Sequence, residues 1–404
     1  MRTLACLRMR ILYTRNLYRP KDFGGNRYPL EVTTRLAQRG HDVVVLTGHF
    51  AGQLSIPGIR IVQYPVSRRN PLLTFSTNCA MSRVAAARVL RGWQPDVIVQ
   101  SSYDVAYGCR LVPVARTPAV FIYHSSFHSE AVRRLQDGSP LHRIMHPLAT
   151  ALVRHVERAV LSGADRIVAV SPFSEAEVRL RAPRMTGRTA VISTGVDALA
   201  FSPGDRATAR SNLAIDQADL VLITVGRLAP VKRYDHAILA VANLRQVGFP
   251  ATLLMVGDGP ERSKLECLAT DLGLQQHVRF EGFRSGIAIV ERLRAADLQL
   301  CTSEFENWSL ALLEGLACGV PVVGTPYGGT ARLLAPVDPS LVLPDGEVDT
   351  LVRRVIDLTA DHDQLRRIGR RAREYATKFD WENVVRDIEQ FLLKVVKDGE
   401  RRVL

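Results

Sequence analysis

Several features are missing from this 404-residue chain, and each absence argues against something. No apolar run approaches the roughly 18 residues that a membrane-spanning helix needs. The six cysteines (Cys6, Cys79, Cys109, Cys267, Cys301 and Cys318) form no CxxC pair and have no metal-ligand spacing. That argues against a disulfide framework or a structural zinc site and predicts free thiols in a reducing cytoplasm. No GxGxxG is present, so the dinucleotide fingerprint fails. The opening stretch MRTLACLRMRILYTRN has a short apolar segment interrupted by arginines, unlike a signal peptide. Met9 begins MRILYTRN, which already has strand character; the eight residues before it read as an upstream start or a tail. Neither an internal repeat nor a low-complexity segment is found.

Negative charge is scarce in the first half. Residues 1–200 hold 27 Lys and Arg against 12 Asp and Glu, a net of +15, nearly all of it arginine. Residues 201–404 hold 26 against 28, a net of −2. The asymmetry fits an anionic partner for the first half, either a phosphorylated substrate or a membrane surface. It fits a solvated, arginine-rich surface equally well. What the chain does have is 47% apolar residues and a length that exceeds one ordinary core.

Short β-branched runs alternate with amphipathic helical patterns. RILYT (10–14), DVVVLTG (42–48), PDVIVQS (95–101), AVFIYHS (119–125), RIVAVS (166–171) and TAVIST (189–194) are the strand candidates of a first series. LVLITVG (220–226), ATLLMVGD (251–258), HVRFEG (277–282), LQLCTS (298–303) and VPVVGTP (320–326) form a second. Both predict an α/β fold: two Rossmann-like, doubly wound domains with buried parallel sheets facing an interdomain cleft. The boundary is expected in the Pro-Gly-punctuated stretch 197–219, giving an amino-terminal domain over 1–198 and a second over 199–378. The last amphipathic helix, within 379–404, is expected to pack back on the first domain.

Four stretches could carry chemistry. In GRLAPVKRYD, Arg227 and Lys232 follow a strand and precede a helix, a placement suited to a diphosphate or to solvent. In PKDFGGNRYP, Gly24 and Gly25 lie between a strand and a helix, where backbone N–H groups can approach a phosphate; a plain turn fits as well. In FIYHSSFH, His124 stands at a strand end, where site residues of α/β folds gather. In CTSEFENWSLALLEGLACGVPVVGTPYGGT, Glu306 and Glu314 are separated by seven residues, the second inside an apolar helix. Were the segment wholly helical, the two would stand roughly 12 Å apart along the axis. The helix end between them favours an anion, so hydroxyls at both ends of a ligand with phosphates in the middle would fit, as in a sugar nucleotide. Spacing alone leaves a metal site and a glycosidase carboxylate pair open.

Taken together, GRLAPVKRYD, LLMVGDGPERSKLECLATDLGLQQHVRFEGF and SEFENWSLALLEGLACGVPVVGTPYGG resemble the carboxy-terminal domain of glycosyltransferase family four. These are retaining GT-B enzymes that include many mannosyl- and glucosyltransferases. FGGNRYPLEVTTRLAQRGHDVVVLTG, FIYHSSFH, RIVAVSPFSEAEV and STGVDALAFSP resemble its amino-terminal domain, so the likeness covers nearly the whole chain. It implies a hexose transferred from a nucleotide-diphosphate sugar to a hydroxyl acceptor, a lipid-linked or polysaccharide precursor being one option. Arg227 and Lys232 would neutralise the diphosphate, and Gly24 and Gly25 would turn backbone N–H groups toward it. Glu306, with the backbone of Asn307, Trp308, Ser309 and Leu310, would hold the transferred sugar. Glu314 would take the ribose, His124 would sit by the forming bond, and Phe283 and Arg284 would flank the base. No DxD-type carboxylate pair stands among these motifs, so no metal and no other cofactor is expected. Thr194, Ser309 and Arg332 depart from the family pattern, and the last two bear on the sugar pocket.

A nucleotide-sugar epimerase of the UDP-N-acetylglucosamine 2-epimerase type would share the fold but leave the basic half without a purpose. An inactive binding module would be expected to have lost Lys232 or a motif glutamate. No nucleic-acid partner is implied. Apolar positions 144, 145, 148, 152, 153, 156 and 160, with arginines 143, 154 and 158 interleaved, predict docking on an anionic membrane face or packing on the domain's own sheet. If docking holds, the protein co-sediments with vesicles containing anionic lipid and not with neutral ones, and high salt abolishes binding; salt-independent or absent binding rules it out.

Overall fold

The computed structural model describes residues 8–18, 27–49, 55–67, 71–112, 117–129 and 140–400, the side chains at 71–72, 140–149 and 400 excepted. The chain divides into two compact units, one comprising residues 1–193 and 382–404 and the other 194–381.

The first unit is built on a seven-stranded parallel sheet of order β3-β2-β1-β4-β5-β6-β7. Its strands are β1 (Arg10–Arg15), β2 (Asp42–Gly48), β3 (Ile59–Tyr64), β4 (Val97–Gln100), β5 (Ala119–Tyr123), β6 (Arg166–Ala169) and β7 (Thr189–Val191). The connections run through α1 (Arg27–Gln38), α2 (Pro71–Gly92), α3 (Tyr103–Arg110), α4 (Pro140–Gly163) and α5 (Pro172–Arg181). Central strands read as unbroken apolar runs because helices cover both faces of a parallel sheet; Ile11, Leu12, Tyr13, Val43, Val44 and Val45 are all buried. The strand β3 was not among the sequence candidates. It is the sheet edge, largely half-buried, and Arg60 and Gln63 break its apolar pattern.

The second unit carries a five-stranded parallel sheet of order β10-β9-β8-β11-β12. Here β8 is Leu220–Val225, β9 Ala251–Val256, β10 Val278–Gly282, β11 Leu298–Cys301 and β12 Val322–Gly324. Its helices are α6 (Arg206–Asn212), α7 (Tyr234–Gln246), α8 (Arg262–Asp271), α9 (Ile287–Ala295), α10 (Leu310–Ala317), α11 (Thr330–Leu334), α12 (Val348–Ala360) and α13 (His362–Thr377). The stretch 197–219, expected as a boundary, contains α6, which is bound into this unit. Arg210 is 2% exposed and donates to the carbonyls of Ala295, Gln217 and Asp219 and to Asp297 Oδ2 at 2.6 Å.

The last helix, α14 (Trp381–Glu400), buries Val384, Val385, Ile388, Leu392 and Val395 along one face. Its acidic residues meet cations of the first unit. Glu382 accepts from Arg35 at 2.9 Å, Glu389 from Arg39 at 3.0 Å and from His41 Nε2 at 2.7 Å, and Asp398 from Arg166 at 3.2 Å. His41 Nδ1 accepts the Met9 N–H at 3.1 Å, so its proton resides on Nε2. In both sheets the strand order reverses once, between β1 and β4 and between β8 and β11; ligands of such sheets bind outside the strand ends at that switch point.

Replacing Arg210 by methionine leaves Asp297 and three carbonyls short of a buried donor. Chemical denaturation is expected to show a loss of about 3 kcal/mol; an unchanged midpoint would contradict this account of α6.

Candidate active site

At the switch point of the second unit, two loops leave the sheet side by side. After β8 the chain runs through Gly226, Arg227 and a short 3₁₀ turn, Pro230–Lys232, before α7. After β11 it runs through Thr302, Ser303, Glu304 and Glu306 to the start of α10. The loops are stitched together. Thr302 Oγ1 donates to the Lys232 carbonyl at 2.7 Å, and the Glu304 N–H donates to the Val231 carbonyl at 2.9 Å. Lys232 Nζ and Glu306 Oε1 form an ion pair, and Ser303 Oγ donates to the same carboxylate oxygen at 3.3 Å.

Burial alone would lower the Lys232 pKa, but the Glu306 carboxylate, the Tyr234 phenol and the hydrogen bond to Glu306 outweigh it. The ammonium is held above the usual lysine range. Tyr234, 5% exposed, is itself pushed up, by burial first and then by Glu306. Arg227 is exposed, and among the described residues it has no ion-pair partner. The strand end thus offers one paired cation and one unengaged cation.

A second brace holds Glu306 from behind. The dipeptide Gly328–Gly329 follows β12 and lies flat against the backbone of the glutamate loop. Gly329 N–H donates to the Glu306 carbonyl at 2.6 Å. A Cβ on Gly328 would stand 2.2 Å from the Glu306 carbonyl oxygen, and one on Gly329 would stand 1.7 Å from that of Asn307. Only glycine permits this approach. Trp308 anchors the same loop inward, its ring 5.5 Å from Phe379.

The segment between the two glutamates is not wholly helical, so the 12 Å estimate does not apply. Residues 302–309 are irregular, and α10 begins only at Leu310. Ser309 is its N-cap without a side-chain cap bond, and the first intrahelical donor is Leu313, bonded to the Ser309 carbonyl. The N–H groups of Leu310, Ala311 and Leu312 therefore have no intrahelical partner. Glu306 precedes the helix; Glu314 is half-buried in its second turn. Phe283, 49% exposed, and Arg284, 3.6 Å from Glu281, follow β10. They lie two strands from β8, about 10 Å across the sheet.

His124 belongs to the first unit, immediately after β5. Burial first, then the charge of Arg15, pushes its pKa down to about 3, so the imidazole is neutral at physiological pH. Its ring meets Tyr28 edge-on at 4.9 Å. The loop it opens is pinned: Tyr103 Oη donates to the Ser125 carbonyl at 3.0 Å, and the Phe127 N–H donates to Glu157 Oε1 at 3.1 Å. Glu157, 2% exposed, has its pKa raised by burial against the opposing pull of Arg181. Gly24 and Gly25 lie outside the described residues, as do 133–139 of the stretch 133–161 that carries the membrane expectation; the side chains of its positions 143, 144, 145 and 148 are likewise not described.

Sequence reasoning thus named Lys232 and Glu306 without seeing that they pair. It missed Arg15, which lies outside the four stretches, and gave no role to Thr302 and Ser303, although both stand inside the quoted stretch that carries Glu306. Gly328–Gly329 stood inside a quoted motif and could have been found from its position after a strand. Among the described residues no group of three His, Cys, Asp or Glu is placed to share a metal ion. The Asp-x-Asp at 361–363 serves helix ends: Asp361 caps α13 and Asp363 pairs with Arg366 at 2.5 Å.

Comparisons with known proteins agree with this geometry. Residues 205–375 match the model for glycosyl transferases group 1, and residues 24–198 match that for glycosyltransferase family 4. A D-inositol 3-phosphate glycosyltransferase of Acidothermus cellulolyticus is 30% identical over 420 residues, covering 94% of this chain and 87% of that protein. Sucrose-phosphate synthase from Thermosynechococcus elongatus superimposes with a TM-score of 0.81 at 22% identity, covering 97% of this chain and all of that one. The Anabaena protein HepE in complex with UDP gives 0.76 at 22% identity over 96% of this chain and all of that one. The two units have the fold of the GT-B glycosyltransferases. The chain belongs to the glycosyltransferases of group 1.

Replacing Gly329 by alanine drives a methyl into the Asn307 carbonyl and displaces Glu306. With the fold intact by circular dichroism, glycosyl transfer is expected to fall about 100-fold; an unaltered rate would remove the brace from the account.

Proposed function

We propose that this glycosyltransferase moves a hexose from a nucleoside-diphosphate sugar to a hydroxyl acceptor, with retention and without a metal. The observation that carries this reading is the pairing of Lys232 with Glu306 beside the unengaged Arg227, at the switch point of the second sheet. Negative charge grows on the leaving diphosphate as the glycosidic bond breaks. Arg227 and Lys232 are fixed cations of the kind that stabilise it, and they make a metal unnecessary. Glu306, kept near Lys232, holds hydroxyls of the transferred sugar, together with the backbone of Asn307 to Leu310. Glu314 takes the ribose hydroxyls, and exposed Phe283 offers a ring to the base. By resemblance to the family, neutral His124 is assigned to the sugar and Gly24 and Gly25 to the diphosphate. HepE, which shares the fold, is a UDP complex, and this favours UDP as the first base to try.

Retention follows from departure and attack on the same face, with no protein nucleophile assigned. The acceptor hydroxyl belongs to a small polyol or a lipid-linked or polysaccharide precursor. The basic first half serves to hold the protein at an anionic cytoplasmic membrane face.

Thermal-shift measurements with UDP-, GDP- and ADP-sugars are expected to raise Tm with one base and not the others. With that donor, Lys232→Ala and Glu306→Ala each lower kcat by about 100- to 1,000-fold. Full activity in both variants would defeat the proposal.

A further inference from the structure

Next to the Lys232–Glu306 pair, the second unit has a cavity of about 340 Å³ lined by Arg233, Thr302, Glu304, Tyr327, Gly346 and Glu347. That volume lies within the range of small-molecule pockets, about 300–1,000 Å³. None of Arg233, Tyr327, Gly346 or Glu347 has a role in the transfer chemistry described above.

The backbone at this cavity is strained. Arg233 lies in the left-handed region, at φ 48° and ψ 45°, and only Ala214 among the other described non-glycine residues has positive φ. A side chain with a Cβ pays for that conformation, and such outliers gather at functional sites. The guanidinium it presents is held from two sides. Arg233 Nη1 pairs with Glu304 Oε1 at 2.8 Å, and Arg233 Nη2 meets His236 Nε2. His236 Nδ1 faces the Gly346 carbonyl at 2.9 Å, which can only accept, so the proton is on Nδ1 and Nε2 accepts from the arginine. Gly346 does a second thing: a Cβ there would stand 2.9 Å from the Tyr327 ring, so its bare backbone lets the ring lie against it. Tyr327 stays 41% exposed, an aromatic face open to solvent.

The charges select a ligand. Glu304 neutralises Arg233, and Glu306 neutralises Lys232. Glu347 remains, so the cavity repels phosphate and suits hydroxyls. Thr302 Oγ1, in the cavity wall, holds the Lys232 carbonyl, so an occupant would touch the loop that carries the diphosphate cation.

We propose that this cavity is a second subsite, taking a polyhydroxylated ring of the acceptor, a sugar or a cyclitol. The ring stacks on Tyr327 and shares its hydroxyls among Arg233, Glu304 and Glu347. The subsite rests on the transferase reading, since its value is to bring an acceptor hydroxyl near the donor.

Saturation-transfer NMR on the full chain, with myo-inositol and D-glucose as separate probes, tests it with and without a saturating nucleoside diphosphate. Saturation is expected to reach the ring protons of at least one probe and to persist with nucleotide bound. It should fall at least fivefold in Tyr327→Ala and in Arg233→Gly. The glycine variant relieves the left-handed strain, so loss of binding there does not reflect a weakened fold; retained nucleotide response in both variants checks this. Transfer to neither probe while nucleotide still raises Tm overturns the subsite and leaves the transferase reading standing. Displacement of the polyol by nucleotide, or signals unchanged in both variants, also overturns it. Failure of every nucleotide and both polyols to bind brings down both proposals together.

Discussion

The ion pair between Lys232 and Glu306 is the contact around which the second unit's loops are organised. Two strands, β8 and β11, part company at the switch point, and nothing in the sheet ladder restrains the chain beyond their ends. The pair joins the loops across that gap, with Thr302 and Ser303 adding hydrogen bonds to its two sides. It also fixes protonation: the lysine stays charged despite burial because its counter-charge is built in. The lysine and the glutamate, 74 positions apart, thereby hold each other in place at the two strand ends.

The first unit solves the same positioning problem differently. His124 is uncharged, so no counter-ion is needed to hold it. Its loop is fixed instead through the backbone, by Tyr103 at Ser125 and by Glu157 at Phe127. The buried carboxylate of Glu157 has Arg181 3.6 Å away, which offsets part of the cost of burying it.

Much of this was legible in the sequence, and what was not has physical reasons. Interior strands announced themselves because burial on both faces forces continuous apolar runs, as in β2 and β9. The edge strand β3 escaped because one of its sides meets solvent and tolerates Arg60 and Gln63. Helix α6 escaped because its key residue, Arg210, looks like surface until four acceptors close around it. Lys232 and Glu306 were recognisable as candidates from their places after strands, but 74 positions separate them, and pairing at that range is a property of the fold. Arg233 gave no signal at all. A left-handed turn is read from glycine or asparagine, and an arginine there is legible only in coordinates.

The helix α14 has one more consequence, for the order in which the protein takes shape. Its acidic residues engage Arg35, Arg39, His41 and Arg166, so the first unit is closed by residues made only after the whole of the second unit. The intervening unit is a continuous stretch, and its own sheet needs nothing from either end of the chain. During synthesis the usual amino-to-carboxyl sequence of domain completion is therefore inverted. The second unit can mature first, while the earlier-made one waits with part of its apolar surface uncovered until α14 arrives.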